Sequence, residues 1–298
     1  MAASPPLAQG SGAAKRLIVT ADDFGAAHAV NEGIEQGHAA GILTAASLMV
    51  AGDAAPEAVA MARRLPSLGV GLHLVLVDGR PVLSAAEVPD LVGPDGRFRD
   101  NMVRAGVDFF FRPHVRHQLA AEIAAQFAAF AATGLPLDHV NAHKHFHLHP
   151  TIAGLILDVG ARHGLRGARA PVEPRAVLEK IEHVAHGLGD RVAAPYARMV
   201  ARRFRRAGLI VPRQVFGLAW SGAMDTARVA GLIYNLPPGL SELYLHPATD
   251  DRYPGHAPGY RYRAELAALG DPRVRAMVTE QEVALGRFAD FDGKEAMQ

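Results

Sequence analysis

The chain has no cysteine, and that absence removes several chemistries at once. Disulfides, thiolate metal sites and cysteine nucleophiles are excluded, while the redox compartment stays undetermined. Aromatics are sparse at 6% of 298 residues, with one tryptophan, Trp220. No uninterrupted apolar run approaches the roughly 20 residues of a membrane-spanning helix. An excess of one charge is missing as well: 31 Lys and Arg stand against 30 Asp and Glu, a formal net charge of +1. Such a balance gives no global field to recruit nucleic acid, and none is expected as a partner. The N-terminal MAASPPLAQGSGAAKR has no basic stretch followed by an apolar one, so no secretory signal is expected there. Residues 1–15 are expected to form a flexible tail, 16–298 a single domain, and the protein to be cytoplasmic. Phosphate loops and a G-x-S-x-G nucleophile elbow are absent too, which removes local support for nucleotide or serine-hydrolase chemistry.

What is present is alternation. Strand-like runs fall at 16–23, 45–52, 70–77, 137–143, 166–171, 214–220 and 241–248, with helical patterns between many of them. AVNEGIEQGHAAG follows the first run, VRHQLAAEIAAQFAAFAAT precedes the fourth, and Pro150 opens PTIAGLILDVGARHG at a favoured helix start. Strand–helix alternation reads as a parallel α/β sheet. About seven units point to a TIM-barrel-like (β/α) barrel, with a doubly wound sheet as the alternative. The Gly/Pro-rich, aromatic stretch 78–113 is expected to be an insertion over the barrel mouth.

In such a barrel the C-terminal strand ends converge on the active site. The first run ends in TADDFG, with Asp22 and Asp23 at its tip. The third carries His73 in GLHL, with Gly71 on the same face. The fourth opens HVNAHKHFHLHP, with histidines at 139, 143, 145, 147 and 149. The last reads ELYLH, so Glu242, Tyr244 and His246 share one face. Asp23, His73 and His143 could supply a two-histidine, one-carboxylate site for a divalent ion, zinc or magnesium, with positions left for water and substrate. Asp22, beside but not on the metal, suits a general base, and His246 an acid for the leaving group. Glu242, Trp220 and His147 are candidate substrate contacts. Each feature has a plain structural reading: Asp-Asp after a strand is commonly a turn or cap, and a lone histidine a hydrogen-bonded core residue. Four strand ends carrying matched groups reverse those odds. Metallo-β-lactamase and amidohydrolase patterns fit less well, since His147 stands where the first needs Asp and the HKH triplet comes mid-chain rather than after the first strand.

Taken in order and spacing, TADDFG, GLHLVL, HVNAHKHFHLHP and ELYLHPAT resemble the YdjC/ChbG family of carbohydrate deacetylases, over about 16 to 290. GLAWSGAMDTARVAGLIYNLPPGLSELYLHPAT and LDHVNAHKHFHLHP resemble its hopanoid-biosynthesis branch, HpnK. The resemblance implies a TIM-barrel-like fold and a divalent metal on one Asp and two His, here Asp23, His73 and His143. It implies Asp22 as base and removal of N-acetyl groups from amino sugars, with an N-acetylglucosaminyl hopanoid as substrate, and a homodimer. Lys144 stands where chitooligosaccharide deacetylases of the family carry another histidine, which weighs against free chitobiose. Rival readings are an oligosaccharide deacetylase, a phosphoesterase on the same kind of lipid, and a barrel that binds carbohydrate or lipid without catalysis.

One segment speaks to a lipid independently. RMVARRFRRAGLIVPRQVF, 198–216, sets Arg198, Arg202, Arg203, Arg205 and Arg206 among apolar residues. It reads either as a basic amphipathic element for an anionic membrane surface or as a surface helix with a core stripe. FFFRP at 109–113 reads either as an apolar patch by the site mouth or as core.

Overall fold

The computed structural model describes residues 14–184 and 188–291. Residues 1–13 of the expected tail and 292–298 lie outside them, and β1 already begins within that tail, at Lys15. Strands β1 (Lys15–Phe24), β2 (Ala45–Leu48), β3 (Gly69–Leu74), β4 (Val140–Ala142), β5 (Gln214–Phe216), β6 (Gly239–Leu245) and β7 (Ala284–Leu285) are all parallel. Their order is β4-β3-β2-β1-β6-β5, with β7 beside the start of β1. Helices α1 (His28–Ala40), α2 (Ala55–Arg64), α3 (Met102–Phe111), α4 (Pro113–Ala132), α5 (Pro150–Arg162), α6 (Arg175–Leu178), α7 (Leu188–Arg206), α8 (Thr226–Tyr234), α9 (Tyr262–Gly270) and α10 (Pro272–Glu280), with 3-10 segments at His143–Leu148 and Phe288–Asp290, complete the described elements. The arrangement is a parallel α/β barrel of the TIM-like kind. None of the described helices is long and apolar enough to cross a membrane.

The gap between β4 and β5 is bridged by chain that never becomes a regular strand. Arg169 N donates to Val140 O at 3.1 Å, Ala168 N to Ile210 O at 3.0 Å and Val215 N to Val172 O at 3.0 Å. The expected strand at 166–171 is therefore reduced to isolated parallel bridges at Gly167 and Ala168. Pro171 has no N–H to continue a ladder, which gives the reason. Strand four is also shorter than expected, because Lys144 and His145 take left-handed φ values of 52° and 54° and turn the chain at His143.

Alternation sorts each strand into two faces. Leu17, Val19 and Ala21 of β1 and Leu243 and Leu245 of β6 belong to the main core. The alternate face rises in layers. Ile18, Leu240, Ala45 and Phe288 form an apolar plug. Above it Thr20 Oγ1 donates to Glu242 Oε1 at 2.9 Å, and polarity increases towards the C-terminal ends of the strands. Gly71 of β3 leaves the space its neighbour needs: a Cβ there would stand 2.5 Å from the His139 ring. His139 is fully buried, stacked on Phe288 at 4.5 Å, and within 3.0 Å of both Asp138 Oδ2 and Ser47 Oγ.

Candidate metal centre

The polarity of the upper layers culminates at three side chains from separate strand ends. Asp23 lies at the end of β1, where the register against β2 shifts and its own φ is +64°. That left-handed residue lets Asp22 continue inward while Asp23 also reaches the mouth, and unfavourable backbone of this kind gathers at functional sites. His73 Nε2 lies 3.2 Å from Asp23 Oδ1, and His143 Nδ1 lies 3.4 Å from the same oxygen. One donor atom from each of the three falls within 4.8 Å of the others.

The donor set fits a divalent cation on two observations. Asp23 Oδ1 and His73 Nε2 are buried with no hydrogen-bond partner among the described residues, so both lone pairs await one. A chain of hydrogen bonds also fixes the histidine tautomer. Asp22 accepts from Asn141 Nδ2 at 2.9 Å, which orients that amide. Asn141 Oδ1 must then accept from His73 Nδ1, at 2.7 Å, so Nε2 keeps a free lone pair facing Asp23. Burial would raise the Asp23 carboxyl, but the His143 and His73 imidazoles beside it hold it well below the carboxylate range.

Beneath the cluster sits the residue that the strand-end reading missed. Arg169 is fully buried and binds Asp22 bidentately, with Nη1 to Oδ2 at 2.6 Å and Nη2 to Oδ1 at 2.9 Å. Its Nε and Nη2 also donate to Glu242 Oε1 at 3.0 and 2.8 Å, and its guanidinium stands 4.3 Å from the Tyr244 ring centre. Burial alone would raise the Asp22 carboxyl; the charge of Arg169, with His73 and His246, outweighs it and keeps Asp22 ionised far into acid. Asp22 and Glu242 thus share one guanidinium, which leaves the Asp23 carboxylate with only the two imidazoles beside it, and a divalent cation would supply positive charge there. The only signal for Arg169 in the sequence was a cation inside a strand-like run.

The remaining expected residues separate. His246 stands at the end of β6, its side chain 12% exposed, with Nδ1 3.8 Å from Glu265 Oε2 and its ring 5.1 Å from that of Tyr260. Glu265, on α9, also accepts from Met224 N at 2.9 Å and from His246 N. No spacing in the sequence tied it to His246. Glu242, expected at the substrate, is instead a fully buried counter-charge for Arg169, one layer too deep. His147 is 1% exposed, and burial holds its imidazole well below the usual histidine range. Trp220 is buried beneath the Arg228 guanidinium, 5.2 Å from its ring centre. None of these three lines the cleft beside the cluster. That cleft, about 240 Å³, is walled by Asp23, His143, Met49, Asp78, Arg97 and Tyr253 among others. Residues of the 78–113 excursion therefore border the site, and Lys144 Nζ donates to Asp78 Oδ2 at its rim, at 2.7 Å.

The family described as YdjC-like protein matches residues 16–280. A carbohydrate deacetylase of Geobacillus stearothermophilus is 30% identical over 278 residues, 92% of this chain and 97% of that protein. The human carbohydrate deacetylase is 31% identical over 94% of this chain and 92% of its own length. One from Brevibacillus brevis is 41% identical over 145 residues, 48% of this chain and only 54% of that protein. Among solved structures, a putative cellobiose-phosphate cleavage protein from Enterococcus faecalis superposes with a TM-score of 0.72, 21% identity, and coverage of 94% of this chain and 99% of that one. That likeness confirms the fold. By its sequence over residues 16–280, the chain belongs to the YdjC-like family.

Proposed function

We propose that the chain is a metal-dependent carbohydrate N-deacetylase. The reading is carried by the Asp23, His73 and His143 cluster, which faces an open cleft with the ionised Asp22 next in sequence. Relatives named carbohydrate deacetylases along nearly the whole chain support the same reaction. A divalent cation held on the cluster would polarise the acetyl carbonyl and acidify a water. Two imidazoles and one carboxylate suit zinc better than magnesium, which favours an all-oxygen shell.

The chain's own groups then move the protons. Asp22 takes a proton from the water as its oxygen attacks the acetyl carbon. The C–N bond breaks, and His246, whose backbone N–H is held by Glu265, returns a proton to the departing amine. Acetic acid and the free amine result; Asp22 ends protonated and His246 deprotonated, and exchange with solvent returns both to their starting states. Arg169 makes Asp22 a weak base, and Asp22 has a second task in orienting His73 through Asn141. Asp22→Asn separates the two. Turnover about 10²–10⁴-fold lower with metal content unchanged is the expected result. Loss of metal along with turnover would assign Asp22 to positioning alone.

For the substrate we propose an amino sugar joined to an apolar aglycone, an N-acetylglucosaminyl hopanoid. A second cavity of about 450 Å³ adjoins His145 and is lined largely by apolar residues, among them Leu148, Pro171, Leu178, Ala197 and Leu218. Apolar walls of this kind suit the aglycone of such a conjugate. Acetate release from the lipid conjugate, measured beside N-acetylglucosamine and chitobiose, tests this. Release from the lipid alone supports the proposal, and equal release from free sugars removes the lipid but keeps the chemistry. A cytoplasmic protein at the inner membrane face is the matching placement.

A further inference from the structure

We propose that helix α3 docks the protein on an anionic lipid surface through its outer face. Eight large apolar residues are exposed among the described residues, and four of them, Val103, Val107, Phe110 and Phe111, sit on this one ten-residue helix. Their exposures are 79%, 51%, 47% and 70%. Steps of four, three and one residues place them on one side. The opposite side is already in use. Ala105 and Phe109 are buried, and the Phe109 ring lies 5.4 Å from that of Phe146. Helix α3 is thus apolar inward and apolar outward. A helix that only covers a core turns a polar face to water, and a contiguous exposed patch of this kind marks a contact surface.

Charge selects the occupant. Arg104, Arg112 and Arg116 are exposed around the stripe against one exposed acid next to it in sequence, Asp100, whereas Asp108, the acidic residue of α3, is buried and paired with Arg112 at 3.1 Å and Arg99 at 3.8 Å. The rim is therefore cationic. A two-fold pairing of two copies through this face would set like charges against each other. A layer of anionic headgroups attracts them, by about 1 kcal/mol per side chain near the surface. Helix α7 borders the same first turn of α5. Arg203 Nη1 donates to Pro150 O at 3.3 Å, while Thr151 Oγ1 donates to Phe109 O at 3.4 Å. Val200, Ala201 and Phe204 of α7 are buried in the core, which leaves its apolar stripe facing inward. Its exposed Arg198, Arg202 and Arg206 add positive charge without an apolar anchor of matching size.

The position of α3 gives the contact a use. The inner face of α3 packs on Phe146 and His149, from the turn that follows His143, and the loop leading into it contributes Asp78, Arg80 and Arg97 to the cleft. A membrane gripped by α3 would lie beside the entry to the metal centre. This surface extends the lipid-linked substrate reading, and vesicle binding and acetate release can fail separately.

The test uses the full chain with vesicles of phosphatidylcholine, with and without phosphatidylglycerol. Co-sedimentation with the anionic vesicles, weakened by salt, is expected. Phe110→Ser with Phe111→Ser should lower the partition coefficient by about tenfold or more. Thermal stability and acetate release from a soluble amino sugar should stay unchanged, because both rings already face solvent. Absence of wild-type binding to either vesicle, or equal binding by the double variant, would overturn the proposal. A concentration-dependent dimer that the same substitutions dissociate would overturn it too, giving the surface to a second copy.

Discussion

Asp23→Ala is expected to strip the protein of its cation and of acetate release together while leaving the fold intact. Asp23 is the shared neighbour of both histidines, at 3.2 and 3.4 Å, and supplies the one carboxylate of the cluster. Without it, two neutral imidazoles remain as ligands, too few for a stable facial site. Residues that only orient a ligand typically change affinity by about 10–100-fold when removed, and a direct ligand should exceed that. Elemental analysis after desalting and an acetate assay on the same sample give both readings. The fold should survive because Asp23 Oδ1 makes no hydrogen bond among the described residues. Metal retained at wild-type stoichiometry would move the site elsewhere.

The second large effect is on stability. Arg169→Met should lower the free energy of unfolding by about 3–5 kcal/mol, the usual penalty for removing one partner of a buried ion pair. Arg169 is fully buried, and two carboxylates depend on it, Asp22 through two contacts and Glu242 through two more. Methionine matches much of the volume, so a cavity contributes little and the loss reports the stranded charges. Arg169→Lys should recover only part of it, since an ammonium cannot present two parallel donors to Asp22 while reaching Glu242. Denaturant unfolding of the three proteins checks the order. A drop below about 1 kcal/mol for Arg169→Met would mean that one carboxylate is already protonated in the native protein.

The cluster of Asp23, His73 and His143 was legible because the rule that exposes it is local. Each is the last polar residue of a strand-like run, and strand ends of a barrel meet at one mouth. Depth was not legible. Period-two alternation correctly turned Glu242 inward but could not tell the top layer from the one beneath, and Glu242 pairs in register with Ile18, four residues before Asp22. The histidine run misled for a related reason. Two left-handed residues after His143 end the strand, bury His147 and bring His145 Nε2 to Tyr244 Oη at 2.8 Å, a turn that no alternation predicts. Arg169 and Glu265 escaped notice because their partners are distant in sequence or tied to them by no spacing. Arg169 meets Asp22 across 147 residues, and Glu265 meets His246 only after a 19-residue excursion into α9. Helix α3 shows the opposite case. FFFRP allowed both a patch and core, and the fold divides it, with Phe109 inside and Phe110 and Phe111 outside.

The measurement closest to the central claim follows acetate release from an N-acetylglucosamine conjugate by one preparation in three states: as purified, after chelation and dialysis, and after one equivalent of divalent metal is returned. Activity that disappears with the metal and comes back with a single equivalent, in the wild type but not in Asp23→Ala, is the predicted result. Full activity in the chelated, metal-free protein would contradict a metal-dependent mechanism at Asp23, His73 and His143.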